Sequence, residues 1–237
     1  HGEGPIRSRG KPLDQLPFRK EAMIHPTHRT GSALGGERLT DPFGRRLDYL
    51  RLSVTDRCNL RCRYCMPAEG ITKVDHDDVL RIEEMIELCS ILVDLGVRKI
   101  RLTGGEPLVR RGVIDLLTGL GALADRPALA ITTNGLLIDR HLDDIVHAGV
   151  GRVNLSLDSL RPDTFARITR RDDFARVRAG LDRLLASPIR LKINVVVLPG
   201  FNEGELGDFV DLVRHHDVTV RFIEPMRFGG DAGHDDA

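Results

Sequence analysis

The chain has 237 residues, 41% of them hydrophobic, with 35 basic and 35 acidic residues and a formal net charge of zero. This length suits one large domain, and the balanced charge gives no indication of a nucleic-acid-binding or membrane-binding protein. Because no run of 18 apolar residues and no charged-then-apolar leader occurs, we expect neither a membrane span nor a secretory signal.

Three segments are predicted along the chain. Residues 1–40 are rich in Gly, Pro, Arg and polar residues without sustained periodicity, which indicates a flexible N-terminal extension. Residues 41–228 alternate short apolar runs with amphipathic stretches and are predicted to form the core domain. Residues 229–237 are expected to be a polar C-terminal tail.

The core domain reads as strands alternating with helices. Strands are predicted at Tyr49–Thr55, Lys99–Thr103, Ala128–Thr133, Arg152–Leu157, Leu191–Leu198 and Thr219–Glu224. Helices are predicted at Asp78–Leu95, Gly112–Ala124, Asp139–Ala148, Asp173–Ala186 and Glu203–His215. This alternation predicts an α/β fold with a parallel sheet, and six strands fit a partial (open) β/α barrel better than a closed one of eight.

A cysteine loop follows the first strand. Cys58, Cys62 and Cys65 are three of the four cysteines and have the spacing C-x3-C-x2-C. Three thiolates leave one iron of a 4Fe–4S cluster open to a small molecule, whereas the alternatives are a redox disulfide or a zinc loop completed by a distant His. Such clustered, unpaired cysteines predict a reducing, cytoplasmic location. The fourth, Cys89, lies on the apolar stripe of the first helix and is predicted to be a core residue.

Polar residues recur at the ends and along the length of the later strands. Gly104 and Gly105 follow the second strand and allow close approach of backbone to a ligand, and Glu106 could accept from an ammonium or ribose group. A turn broken by Pro107 explains the same residues equally well. Polar positions on the later strands predict an inward-facing ligand cavity, and these are Asn154, Ser156, Asp158, Lys192, Asn194, Arg221 and Glu224.

Several motifs together resemble the GTP 3′,8-cyclase family of molybdenum cofactor biosynthesis, whose members are radical S-adenosylmethionine (SAM) enzymes. The resemblance covers roughly residues 39–226. It rests on Asp48–Cys58, Tyr64–Pro67, Thr103–Pro107, Thr132–Gly135, Asn154–Ser159 and Arg221–Glu224.

The resemblance implies a set of site residues. Cys58, Cys62 and Cys65 would bind one 4Fe–4S cluster. SAM would be bound by Tyr64, Gly105, Ser156 and Met226. GTP would be bound by Arg51, Arg101, Thr132 and Lys192, whose charged members suit a triphosphate.

The resemblance also implies a reaction and partners. Reductive cleavage of SAM would give a 5′-deoxyadenosyl radical that abstracts the C3′ hydrogen of GTP, and the C3′ radical would attack C8. The product would be (8S)-3′,8-cyclo-7,8-dihydroguanosine 5′-triphosphate, which makes the enzyme a lyase. The implied partners are a cytosolic electron donor such as flavodoxin or ferredoxin, and the cyclic pyranopterin monophosphate synthase that acts next.

The sequence departs from the family in ways that leave alternatives open. Arg170 stands where the family commonly has Gly. The three further cysteines that bind a second cluster in the family have no counterpart here, so we expect no second cluster on this chain. The alternatives are a truncated, catalytically impaired homologue that binds one cluster and SAM without GTP turnover, and a radical SAM enzyme with another substrate, such as a peptide.

Overall fold

The computed structural model describes residues 38–72, 74–75 and 78–225. The predicted extension over residues 1–40 lies outside this range except for its last three residues, and the tail over residues 229–237 lies wholly outside it. Both therefore stay predictions.

The described residues contain six strands and six α-helices. The strands are β1 (Tyr49–Ser53), β2 (Lys99–Thr103), β3 (Ala128–Thr133), β4 (Val150–Ser156), β5 (Arg190–Val196) and β6 (Val218–Ile223). The helices are α1 (Ile82–Asp94), α2 (Val113–Gly121), α3 (Ile138–His147), α4 (Pro162–Thr169), α5 (Phe174–Leu185) and α6 (Leu206–His215). In this part of the chain no helix has the length and apolarity needed to cross a membrane.

The six strands form one parallel sheet in the order of the sequence. Each strand pairs with the next, and β1 and β6 are the two edges, so the sheet is open. Sequential parallel strands with right-handed crossovers place all the connecting helices on one face. The predicted α/β partial barrel is confirmed.

The two faces of the sheet differ in chemistry because side chains alternate along each strand. One face is apolar and packs against the helices, as shown by Ile100, Ile131, Val153, Leu155 and Ile193, which are all fully buried. The opposite face, called the inner face below, carries mainly charged and polar side chains. The hydrophobic core therefore lies between the sheet and the helices, and the inner face of the sheet is not part of it.

Five of the six helices lie where the sequence predicts them, and α4 was not predicted. Its eight residues begin with Pro162 at the first turn and bury Phe165, Ile168 and Thr169. The helix is short and ends at Arg170, whose left-handed φ of 54° stops it. In α1, Cys89 is fully buried, which confirms its prediction as a core residue.

Candidate functional site

The cysteine loop begins five residues after β1, at the carboxyl edge of the sheet. All four cysteines are free thiols, Cys58 and Cys62 partly buried and Cys65 exposed. The Cys62 carbonyl accepts from the N–H groups of Cys65 and Met66, both at 3.0 Å, which folds the second half of the loop into a turn. The Leu60 N–H points at Cys58 Sγ across 3.4 Å.

The C-terminal end of α4 holds the other side of this loop. The N–H of Arg61 donates to Thr169 O and the N–H of Arg63 donates to Ile168 O, both at 3.0 Å. Arg170 adds two contacts from one guanidinium nitrogen, to Arg61 O at 3.0 Å and Met66 O at 3.1 Å. The helix that sequence reasoning missed thus positions the cysteines.

The three thiols suit an iron–sulfur cluster. Burial raises the pKa of each, and that of Cys62 reaches about 12 because Asp158 and the other two thiols add to the effect of burial. Free thiols are therefore neutral, and iron binding must release their protons. No three His, Cys, Asp or Glu side chains within residues 38–72, 74–75 and 78–225 converge on one metal position. A cubane does not require that, because each thiolate binds a different iron.

A hydrogen-bonded chain fixes Tyr64, which was predicted to contact SAM. Its hydroxyl donates to Asp158 Oδ2 at 2.8 Å, and Asp158 Oδ1 accepts from the Val196 N–H at 2.8 Å. Burial raises the pKa of Asp158 to about 6. The cysteine loop is thereby tied to the carboxyl ends of β4 and β5.

Glu106, for which the sequence left a ligand contact and a turn equally open, is buried and hydrogen-bonded within the protein. Its side chain is 1% exposed and accepts from Leu108 N–H (3.1 Å), Thr133 Oγ1 (2.8 Å) and Asn134 N–H (2.7 Å). Burial raises its pKa to about 7. The carboxyl group therefore joins the ends of β2 and β3. Asn134 in turn donates to Asn59 Oδ1 at 2.7 Å, inside the cysteine loop.

The two glycines after β2 are required by packing. A Cβ on Gly105 would lie 2.4 Å from Arg57 O, and one on Gly104 would lie 2.5 Å from Thr55 O. The N–H of Gly105 donates to Thr55 O at 2.7 Å. The loop after β2 therefore lies directly against the backbone that leads into the cysteines, and any side chain here would displace it.

The inner face carries a cluster of six cations. Arg51 and Arg101 are direct register neighbours on β1 and β2. The six, called the inner cations below, are Arg51, Lys99, Arg101, Arg152, Lys192 and Arg221. Burial and the neighbouring positive charges lower the pKa of Lys99, Arg101 and Lys192. Among the described residues no carboxylate oxygen lies within 4.0 Å of these six groups.

Buried polar atoms on the same face have no partner within the described part of the chain. They are Arg101 Nε, Asn154 Oδ1 and Asn194 Oδ1. Asn154 is the register neighbour of Thr132 and of Lys192, and Asn194 is the neighbour of Ser156 and of Arg221. A buried donor or acceptor left unsatisfied costs about 1–3 kcal/mol, so these atoms indicate a polar ligand on this face.

The structure brings the predicted nucleotide residues Arg51, Arg101, Thr132 and Lys192 onto one face, with Ser156 near the carboxyl end of β4. Met226 lies outside the described residues. Sequence reasoning did not assign Lys99 or Arg152 to this group. Their two-residue spacing from Arg101 and Asn154 places them on the same face and could have identified them.

Comparison with known proteins agrees with this arrangement. The model of the radical SAM superfamily matches residues 52–213, and the chain belongs to that superfamily. Within it, the chain is 51% identical over 189 residues to the GTP 3′,8-cyclase of Geobacter sulfurreducens, covering 79% of this chain and 58% of that protein. It is 46% identical over 192 residues to the GTP 3′,8-cyclase of Petrotoga mobilis, covering 81% and 59%.

A relative from a eukaryote is much longer than this chain. The chain is 48% identical over 196 residues to the molybdenum cofactor biosynthesis protein 1 of Drosophila melanogaster, covering 83% of this chain and 35% of that protein. The chain thus spans about three-fifths of the length of the bacterial relatives and about a third of this one.

Solved structures support the fold. Streptococcus suis SuiB bound to S-adenosylmethionine has a TM-score of 0.63 at 17% identity, covering 78% of this chain and 40% of that one. The structure of anSMEcpe with bound AdoMet has a TM-score of 0.60 at 18% identity, covering 75% and 49%.

Proposed function

We propose that this chain is the cluster-binding and nucleotide-binding core of a GTP 3′,8-cyclase that acts in molybdenum cofactor biosynthesis. The observation that carries the proposal is the group of inner cations, which no carboxylate neutralises in the described part of the chain. A triphosphate brings about four negative charges, and Arg and Lys are the residues that bind phosphate.

Cys58, Cys62 and Cys65 would hold one 4Fe–4S cluster. When bound, this cluster supplies the electron that cleaves SAM to methionine and a 5′-deoxyadenosyl radical. The chain's own contribution is position: α4 and the Tyr64–Asp158 bond fix the loop from two sides. The N–H groups of Leu60 and Asn134 Nδ2, at 3.4 Å and 3.8 Å from Cys58 Sγ, would stabilise a thiolate there.

The inner cations would orient GTP. Lys99, Arg101 and Arg152 lie within the first three residues of β2 and β4, whereas the cysteine loop follows the carboxyl end of β1. A triphosphate held by these cations would leave the nucleoside extending along the strands towards the cysteines. The ribose would then lie on the side where the radical forms, and Asn154 Oδ1 and Asn194 Oδ1 could accept from its hydroxyl groups or from the base.

This arrangement favours a phosphate-bearing substrate over a peptide, because a peptide would leave most of the cations unpaired. The free state of all four cysteines suits a reducing cytoplasm. The proposed partners are an electron-donating redox protein and the pyranopterin synthase that would use the product.

Two measurements test the proposal. Anaerobic reconstitution should give about four irons per chain and a low-temperature EPR signal after reduction. GTP titration should show that Arg101→Ala and Lys192→Ala each weaken GTP binding about tenfold to a hundredfold, because each removes a charge-assisted phosphate contact.

Arg140→Ala is the matched control, since Arg140 is an exposed cation on α3, away from the inner face. Guanosine should bind wild type and variants alike, because it lacks the triphosphate. Stoichiometric zinc without an iron–sulfur signal would contradict the cluster, and equal GTP binding by wild type and both inner-face variants would contradict the nucleotide site. Assaying 5′-deoxyadenosine and the cyclised nucleotide separately then distinguishes turnover from SAM cleavage without GTP conversion.

A further inference from the structure

Five arginines surround the outer side of the cysteine loop. Arg63 Nε donates to Arg167 O at 2.8 Å, which joins the loop to α4. Phe201 holds the same two residues from a third element, because its ring centroid lies 5.6 Å from Arg63 Cζ and 4.7 Å from Arg167 Cζ. The group, called the arginine patch below, consists of Arg61, Arg63, Arg167, Arg170 and Arg171.

The arginine patch has no counter-ions of its own. Across residues 38–72, 74–75 and 78–225, no carboxylate oxygen lies within 4.0 Å of the five guanidinium groups. Their polar contacts go to backbone carbonyls. The nearby Glu203 carboxylate accepts from the N–H groups of Gly200 and Phe201, and Asp172 is exposed.

The exposed members are prearranged for an anionic partner. Arg63, Arg167 and Arg171 are exposed, and the contacts with Phe201 and the backbone restrict the first two. Restricted guanidinium groups lose less conformational entropy when they pair with carboxylates, so such a surface binds an acidic protein more readily than mobile side chains would.

We propose that the arginine patch is the docking surface for a small acidic redox protein that reduces the cluster. Arg63 stands between Cys62 and Cys65, so a protein seated on the patch would bring its redox centre next to the cluster loop. One electron would leave the donor's low-potential centre and enter the cluster, with no bond made or broken and no proton transferred. This inference rests on the proposed function, since it requires a cluster at the three cysteines.

A nucleic acid is the competing occupant of a basic surface. The patch is confined to the loop and one helix end, and the chain has no net charge, which fits a local docking site better than a track along a phosphate backbone. The arginine patch also lies beside the cysteines, which favours a redox protein over a nucleic acid as its partner.

Binding of purified flavodoxin to the cluster-loaded chain, measured by anaerobic calorimetry, is the first test. Arg63→Gln/Arg167→Gln should raise the Kd about tenfold at low ionic strength, and the difference should shrink as salt screens the charges. The control Arg98→Gln/Arg214→Gln removes two exposed positive charges at the amino edge of the sheet and should bind as wild type does.

Two further variants separate charge from local structure. Arg63→Lys/Arg167→Lys keeps both charges and should restore most of the binding. Arg171→Glu reverses a charge on a residue whose side chain, among the described residues, forms a hydrogen bond only with the adjacent Arg170 carbonyl, and it should weaken binding without disturbing the loop.

EPR distinguishes failure of the inference from failure of the proposed function. Dithionite should reduce the cluster equally in wild type and all variants, whereas reduced flavodoxin should give a smaller or slower signal in the Gln and Glu variants. No cluster signal with dithionite would overturn the proposed function. Equal flavodoxin binding and reduction in wild type and patch variants would overturn the docking surface, as would patch-dependent binding of duplex DNA tighter than that of flavodoxin.

Discussion

Substitution of Arg170 tests how the cysteine loop is held, because this residue has an unfavourable backbone conformation and favourable side-chain hydrogen bonds. Its backbone is left-handed, with φ of 54°, a conformation that favours glycine. Its side chain donates to Arg61 O and Met66 O at 3.0 and 3.1 Å. The structure thus shows what this chain gains from arginine at a position whose backbone favours glycine.

The two effects can be separated by two substitutions. Arg170→Ala keeps the left-handed backbone and loses both hydrogen bonds, which from a charged donor contribute about 1.5–3 kcal/mol. Arg170→Gly loses the same bonds and also relieves about 1–2 kcal/mol of backbone strain. We expect stability to fall in the order wild type, Gly, Ala, with the glycine variant roughly 1 kcal/mol above the alanine variant.

Urea unfolding measures the free energy of global unfolding, and amide hydrogen exchange measures the free energy of local opening of the cysteine loop. The informative amides are those of Arg61 and Arg63, which bond to Thr169 O and Ile168 O. They should exchange fastest in Arg170→Ala. Arg171→Ala serves as the control, since it removes a neighbouring guanidinium whose one hydrogen bond within the described part of the chain is to Arg170 O. A glycine variant no more stable than the alanine variant would refute the strain, and an alanine variant as stable as wild type would refute the contacts.

Two further predictions concern buried groups. Cys89→Ala should leave the iron content after reconstitution unchanged and lower stability by only about 1 kcal/mol, because Cys89 is a buried residue of α1; loss of the cluster would contradict this. Burial raises the pKa of Glu106 from 4.5 to about 7. Between these two pH values the folded protein keeps the carboxyl group protonated, whereas unfolding releases the proton. The free energy of unfolding therefore falls as pH rises through this range and levels off above about pH 7. Between about pH 5 and about pH 8, the fall in the free energy of unfolding by urea should be roughly 2.5 kcal/mol smaller in Glu106→Gln than in wild type. Part of the decline should remain in the variant because burial also raises the pKa of Asp158, and an equal decline in the two proteins would contradict the assignment.

The sheet could be predicted from the sequence because its strands are short apolar runs separated by strong amphipathic helices. α4 could not, because it has only eight residues and its start and end depend on Pro162 and on the unusual backbone of Arg170. No sequence pattern indicates that an arginine will adopt a left-handed backbone conformation. The role of Arg170 is apparent only from the structure, where its side chain donates hydrogen bonds to the cysteine loop.

The site residues could be predicted where the residue type and its spacing indicate the chemistry. They could not be predicted where the role depends on contacts that form only in the folded structure. The cysteine spacing and the inward polar strand residues could be read directly. The sequence left open whether Glu106 contacts a ligand, because it could not show that Thr133 and Asn134 donate hydrogen bonds to its carboxyl group. Lys99 and Arg152 were not predicted, although each stands two residues before an inner-face residue of its own strand, Arg101 and Asn154.

The two groups of positive charge in this molecule differ in burial and in the elements that carry them, and these differences favour different partners. The inner cations lie on one face of an open sheet, several of them partly buried and on neighbouring strands, so that a single small polyanion can contact more than one of them at once. The arginine patch lies on the cysteine loop and a helix end and has three exposed members, so a macromolecule can offer several carboxylates to it at once. In the described part of the chain neither group has a carboxylate within 4.0 Å, and the apolar core whose burial stabilises the fold lies on the opposite face of the sheet from the inner cations.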